Sequence, residues 1–119
     1  MKHMPAPWPD LQGAPATDCQ TMTDIRREID RVDRALVRIL AERLTYIERA
    51  GHIKQDRATV RDEARIADVL AKVKAACDRE GFPFAIAEPV WRRLMDGCIA
   101  HEFAVFDEVN RPRAKLAAQ

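Results

Sequence analysis

Arg43 stands where its type is chemically out of place. It falls on a row of inward positions, Ile25, Ile29, Val32, Leu36, Ile39, Arg43, Tyr46, Ala50 and Ile53, that recur at alternating steps of four and three. That spacing is a heptad seam. A guanidinium enters such a seam only where an anion meets it. Glu102 is a second misfit, a carboxylate on the otherwise apolar stripe Trp91, Leu94, Cys98, Glu102 and Val105. Lys54 follows Arg43 by eleven positions, three helical turns or about 16 Å along one face. Arg65 comes one turn into a second helical stretch, three positions after Asp62. The polar loop at 55–59 can fold that turn back beside Lys54. Charges so placed describe a helical protein with a buried cationic pocket suited to a small polyanion.

Arg26 precedes Lys54 by 28 positions, four full heptads, and so shares its face. Those positions also span about 42 Å. One small ligand cannot touch both within a subunit. Arg26 can serve the same kind of site only from the other subunit of a dimer. Each charge also has a plainer reading. Arg26 can pair with Asp30 one turn on, and Arg65 with Asp62 or Asp68. Lys54 suits the negative end of a helix dipole. Arg43 and Glu102 can neutralise each other, and Glu102 can sit at the edge of its stripe.

The elements that must position these residues are helices. Of 119 residues, 47% are hydrophobic and 33% charged, with 6% aromatic and only 4 Gly. That is the composition of one small helical domain. No strand-like alternation interrupts it, so the expected class is all-α with three helices. The first helix starts near Thr21, where Thr21 and Asp24 resemble a capping box with Asp in place of Glu. It then runs about 30 residues, roughly 45 Å. So long a seam exceeds what a three-helix globule can cover, which predicts a partner helix from a second copy and an intertwined homodimer. A second helix is expected from Val60 or Arg61 to Gly81, its C-terminal cap. A third is expected from Phe84 to Asp107, with a kink at Pro89 or a late start at Glu88. Pro5, Pro7, Pro9, Pro15 and Gly13 make residues 1–20 an expected disordered N-terminal tail. Residues 108–119 read as a solvated C-terminal tail.

The formal net charge is +1, so a general grip on nucleic acid or an anionic membrane is not expected. No apolar run approaches the ~20 residues of a membrane span, and no signal-peptide pattern opens the chain. Cys19, Cys77 and Cys98 match neither a metal spacing nor a disulfide framework, which fits a reducing cytoplasm.

With these residues in hand, a resemblance becomes visible. The run DIRREIDRVDRALVRILAER, then Lys54, then VRDEARI, then IAHEF in the third helix, resembles the all-helical chorismate mutases over residues 21–107. The resemblance makes 21–107 a chorismate mutase domain. It implies that Arg43, Lys54, Asp62 and Arg65 share one site and that Arg26 reaches in from the partner subunit of an interlocked dimer. The reaction it implies is the Claisen rearrangement of chorismate to prephenate, a pericyclic step that needs no nucleophile, metal or cofactor. By the same resemblance Arg26 and Arg43 bind the two carboxylates. Lys54 donates to the ether oxygen and a carboxylate, Arg65 supports the carboxylate end, and Asp62 meets the ring hydroxyl.

Two positions depart from the family pattern. Glu102 stands where many bacterial members carry Gln, and a carboxyl group donates a hydrogen bond only when protonated. The expectation is that Glu102 works as the neutral acid. Ile66 stands where bacterial members commonly carry a second acid for the substrate hydroxyl. The segment Cys19–Arg26 and the short loop after Lys54 also resemble isochorismate-pyruvate lyases, which share the fold and form salicylate. Those lyases lack the acid at Asp62 and keep Gln at Glu102. The alternatives to a mutase are therefore such a lyase, or a non-catalytic helical dimer module. Cys98 matches a site-lining position, with a small core residue as the plainer reading. With no additional domain to carry feedback control, an unregulated enzyme is expected.

Overall fold

The structure of the protein is a computed structural model that describes residues 9–118, with side chains described as far as Arg111. Two short 3-10 turns, Pro9–Leu11 and Ala16–Asp18, lead into α1 (Met22–Ile53). A third such turn, Arg57–Thr59, precedes α2 (Glu63–Glu80), and α3 (Phe84–Ala118) closes the chain. The fold is all-α, with three helices and no strand among the described residues. The chain separates into two compact units, one ending at Leu44 and the other beginning at Thr45.

In the first unit the start of α1 is fixed by a reciprocal cap. Thr21 Oγ1 accepts the Asp24 N–H at 3.1 Å, and Asp24 Oδ2 accepts the N–H groups of Gln20 and Thr21 at 3.0 and 3.2 Å. The Gln20 N–H, above all, holds the Asp24 carboxyl below its ordinary range. Residues 9–20 are not the structureless tail expected of them. The Asp10 carbonyl accepts from Arg31 Nη1, and Asp10 Oδ1 pairs with Arg34 Nε at 3.4 Å. Gly13 comes so close to the Glu28 and Arg31 side chains that a Cβ would overlap both. Proline and glycine density excluded a helix here, while the two arginines and the missing Cβ let the segment lie against one. Residues 1–8 of the expected tail lie outside the described residues. The seam members Ile29, Val32, Leu36 and Ile39 are 52%, 43%, 50% and 45% exposed.

In the second unit α2 packs on α3. Leu70 and Cys77 of α2 are buried, as are Ala87, Met95, Glu102 and Phe106 of α3 and Val60 of the preceding loop. Asp62 caps α2 by accepting the Arg65 N–H at 3.1 Å. Gly81 ends it at φ 72°, the left-handed conformation that disfavours side chains. α3 begins at Phe84, with the Ile86 and Ala87 N–H groups donating to the Pro83 carbonyl at 3.0 and 3.2 Å. It therefore needs no late start at Glu88. Pro89 sits early in the helix, where its missing N–H forfeits a single ladder bond. The helix also continues past Asp107, its expected end, to Ala118. Phe106 is buried, and Asn110 Nδ2 donates to its carbonyl at 2.8 Å across the next turn. Among the described residues no helix is long and apolar enough to cross a membrane.

Candidate functional site

The last turn of α1 delivers Lys54 to α3 because Gly51 has no side chain. Gly51 is buried, and a Cβ there would lie 3.0 Å from Val105 Cγ1 and 3.3 Å from the Glu102 carbonyl oxygen. That close approach brings the helix end down beside Glu102. Lys54 follows the last helical residue, and its N–H still donates to the Ala50 carbonyl at 3.0 Å. Its Nζ lies 2.6 Å from Glu102 Oε2, with the two side chains 28% and 5% exposed. A cation here complements the negative end of α1 as well as the carboxylate.

Among the described residues Glu102 Oε2 is buried without a hydrogen bond of good direction. The short Lys54 contact is an ion pair. A buried carboxylate oxygen with spare acceptor capacity is uncommon outside functional positions. The second acceptor near Lys54 Nζ is the Val60 carbonyl at 3.5 Å. The loop that supplies it is tightly wound. Asp56 Oδ1 accepts the Ala58 N–H at 3.0 Å, and the Asp56 carbonyl accepts the Thr59 N–H at 3.0 Å and its hydroxyl at 2.6 Å.

The structure joins Lys54 and Glu102 directly. Asp62 and Arg65 sit at the start of α2 in the same unit, engaged otherwise. One oxygen of Asp62 serves as the helix cap. The Arg65 guanidinium is exposed and bonds Asp68 Oδ2 at 2.6 Å, the plainer pairing open to it from spacing. Lys72 and then Arg65, donating to Asp68, hold that carboxyl below its ordinary range. Arg26 and Arg43 belong to the first unit, Arg26 exposed and Arg43 half-buried on α1. Cys98 is half-buried on α3.

Sequence spacing did not find the other side-chain contacts of this unit. Arg57 forks onto Asp107, Nε to Oδ1 at 2.9 Å and Nη2 to Oδ2 at 3.2 Å, and lies 4.5 Å from the Phe103 ring centroid. Asp107 raises the Arg57 value, and Arg57 lowers that of Asp107. Arg61 reaches Glu63 at 2.7 Å and Asp96 at 3.5 Å. His101 Nε2 lies 2.8 Å from Glu48 Oε2. These partners are mostly far apart in the chain, so no local period announces them.

Fold and site together define an all-α protein with a lysine set against a buried acid at the end of its long first helix. Residues 25–103 match the family described as chorismate mutase type II, and the chain belongs to that family. An isochorismate pyruvate lyase from Pseudomonas aeruginosa is 27% identical over 85 residues, covering 71% of this chain and 84% of that protein.

Proposed function

We propose that the chain is a chorismate mutase that rearranges chorismate to prephenate. The observation that carries this reading is the half-buried Lys54 ammonium 2.6 Å from the buried Glu102 carboxyl, within a chain of the chorismate mutase type II family. As the ether C–O bond breaks, negative charge grows on its oxygen. Lys54 donates there and stabilises the transition state more than the ground state. Arg43 and Arg26 of the partner subunit grip the two carboxylates and hold the enolpyruvyl arm folded over the ring. Arg65 supports the carboxylate end, which requires it to turn from Asp68, and the free oxygen of Asp62 takes the ring hydroxyl. Nothing is oxidised and no group is transferred, so these residues need no cofactor for the step.

A second copy of the chain completes the site in this reading. Exposure of the seam residues Ile29, Val32, Leu36 and Ile39 supports it, since apolar surface of that kind is stabilised by a partner helix.

Glu102 adds a second donor to the ether oxygen only in its protonated form. Glutamine at this position donates at any pH. Comparing kcat/KM of wild type and Glu102→Gln tests the donor role. Activity in Glu102→Gln equal to or above wild type supports it; a loss of ~100-fold or more would remove a neutral donor at this position from the reading.

The name of the Pseudomonas aeruginosa relative motivates a second reading, elimination of pyruvate from isochorismate on the same fold. Incubating purified protein with chorismate, and separately with isochorismate, separates the two. Prephenate from chorismate supports the mutase, salicylate from isochorismate alone supports the lyase, and no product from either overturns both.

A further inference from the structure

The contacts around Lys54 form a closed ring that leaves α3 and returns to it. Glu102 meets Lys54 Nζ, and the ammonium also faces the Val60 carbonyl. The Val60 N–H donates to the Arg57 carbonyl at 3.1 Å. The Arg57 side chain then comes back to α3 at Phe103, the residue after Glu102, and at Asp107. Val60 is 3% exposed, so the middle of the ring is anchored in the core. Its outer arm is tied to α3 by the Arg57 side chain.

We propose that Arg57 is a positioning residue for Lys54, acting through Val60. Its fork and stack fix the Arg57–Thr59 turn against α3. That turn fixes the height of the Val60 carbonyl over the ammonium. An ammonium rotates freely about its last bonds and has three protons to direct. With the Glu102 carboxylate drawing the ammonium on one side and the Val60 carbonyl accepting from it on the other, the place of Nζ is set from two sides. Without the Arg57 arm, the turn loosens and Lys54 samples several orientations. Effective catalysis depends on alignment of this kind, and misplacement by ~1 Å can cost up to ~100-fold.

The inference rests on Lys54 being the donor proposed above, and its test is built to fail separately from that reading. Arg57→Ala, Arg57→Lys and Asp107→Asn are each assayed on whichever substrate the wild type turns over. Positioning predicts that all three lower kcat by ~10-fold, with KM and Tm close to wild type. Lysine keeps the charge and loses the planar fork, so it should not rescue. Asp107→Asn gives the sharpest sign. Removing an anion near a site for a dianion should help by simple electrostatics, whereas loss of the arm should harm. The reversed pair Arg57→Asp with Asp107→Arg should recover most of the kcat. A second readout does not use turnover. Reductive methylation read by peptide mass spectrometry should label Lys54 several-fold faster in Arg57→Ala, with Lys72 and Lys74 unchanged as controls. If the wild type acts on neither substrate, the functional reading falls and the labelling still decides the positioning role. Wild-type labelling of Lys54 in Arg57→Ala, or an unchanged or raised kcat in Asp107→Asn, would overturn it.

Discussion

Replacing Gly51 with alanine places a methyl group 3.0 Å from Val105 Cγ1 and 3.3 Å from both Val105 Cβ and the Glu102 carbonyl oxygen. Two effects compete. Alanine is better than glycine inside a helix by about 1 kcal/mol. Overpacking costs about 1–3 kcal/mol where neighbours cannot move aside. Val105 is a half-buried side chain and can yield, but the Glu102 carbonyl belongs to the α3 backbone and cannot. Overpacking should therefore win by about 1 kcal/mol, which lowers Tm by about 5 °C in a domain of this size. The last turn of α1 lifts by a few tenths of an ångström, and Lys54 rises with it. Its 2.6 Å contact with Glu102 lengthens, and kcat/KM falls roughly three- to tenfold. Denaturation at one fixed protein concentration and steady-state kinetics measure the two effects. Adding Val105→Ala removes the 3.0 Å contact with Cγ1 and leaves those at 3.3 Å, so the double variant should be more stable than the two single changes sum to. The reasoning fails if Gly51→Ala gains about 1 kcal/mol, the bare helix preference, and keeps wild-type kinetics.

Mixing and refolding the two inactive variants Arg26→Ala and Lys54→Ala together should restore roughly a quarter of wild-type activity, because half the dimers formed carry one intact site of two; no recovery would place Arg26 outside the partner's site. Asp24→Asn should abolish an acid-dependent part of stability. The depressed carboxyl of Asp24 stabilises the fold above about pH 4 and loses that contribution as pH falls through its lower folded value. Acid titration of helicity, wild type against variant, reads it directly. Gly81→Ala meets open space but a φ of 72°. It should cost about 1 kcal/mol of stability through backbone strain, with kcat and KM unaltered.

Three helices, the capping box at Thr21 and Asp24, the Gly81 end of α2 and the misfit status of Glu102 all follow from local rules of spacing, and all are legible in the chain; the start of α2, expected at Val60 or Arg61, falls at Glu63 because the Asp62 side chain caps it. Lys54 at a helix end is legible too. Its partner was not, because spacing offered Glu102 to Arg43. The closeness of Lys54 to Glu102 depends on Gly51 facing Val105 across two helices. Arg57 read as part of a polar loop and Asp107 as a helix end, since their pairing spans fifty positions of sequence. The 9–20 segment shows the opposite error. Prolines correctly exclude regular structure there, yet Asp10 and Gly13 still dock irregular chain through two arginines.

The ion pairs of the second unit differ in their access to water, and dissolved salt acts on them unequally. Arg57–Asp107 and Arg61–Asp96 are about half exposed on both partners, within reach of mobile ions whose screening length shrinks to about 3 Å at 1 M. Glu102 is 5% exposed, and its contact with Lys54 is shielded by the protein itself. Ionic strength is thus a dial that slackens the outer fastenings while leaving the central pair in place. A protein built this way meets a salty medium first as a change in the precision of its loop, and only later as a loss of its fold.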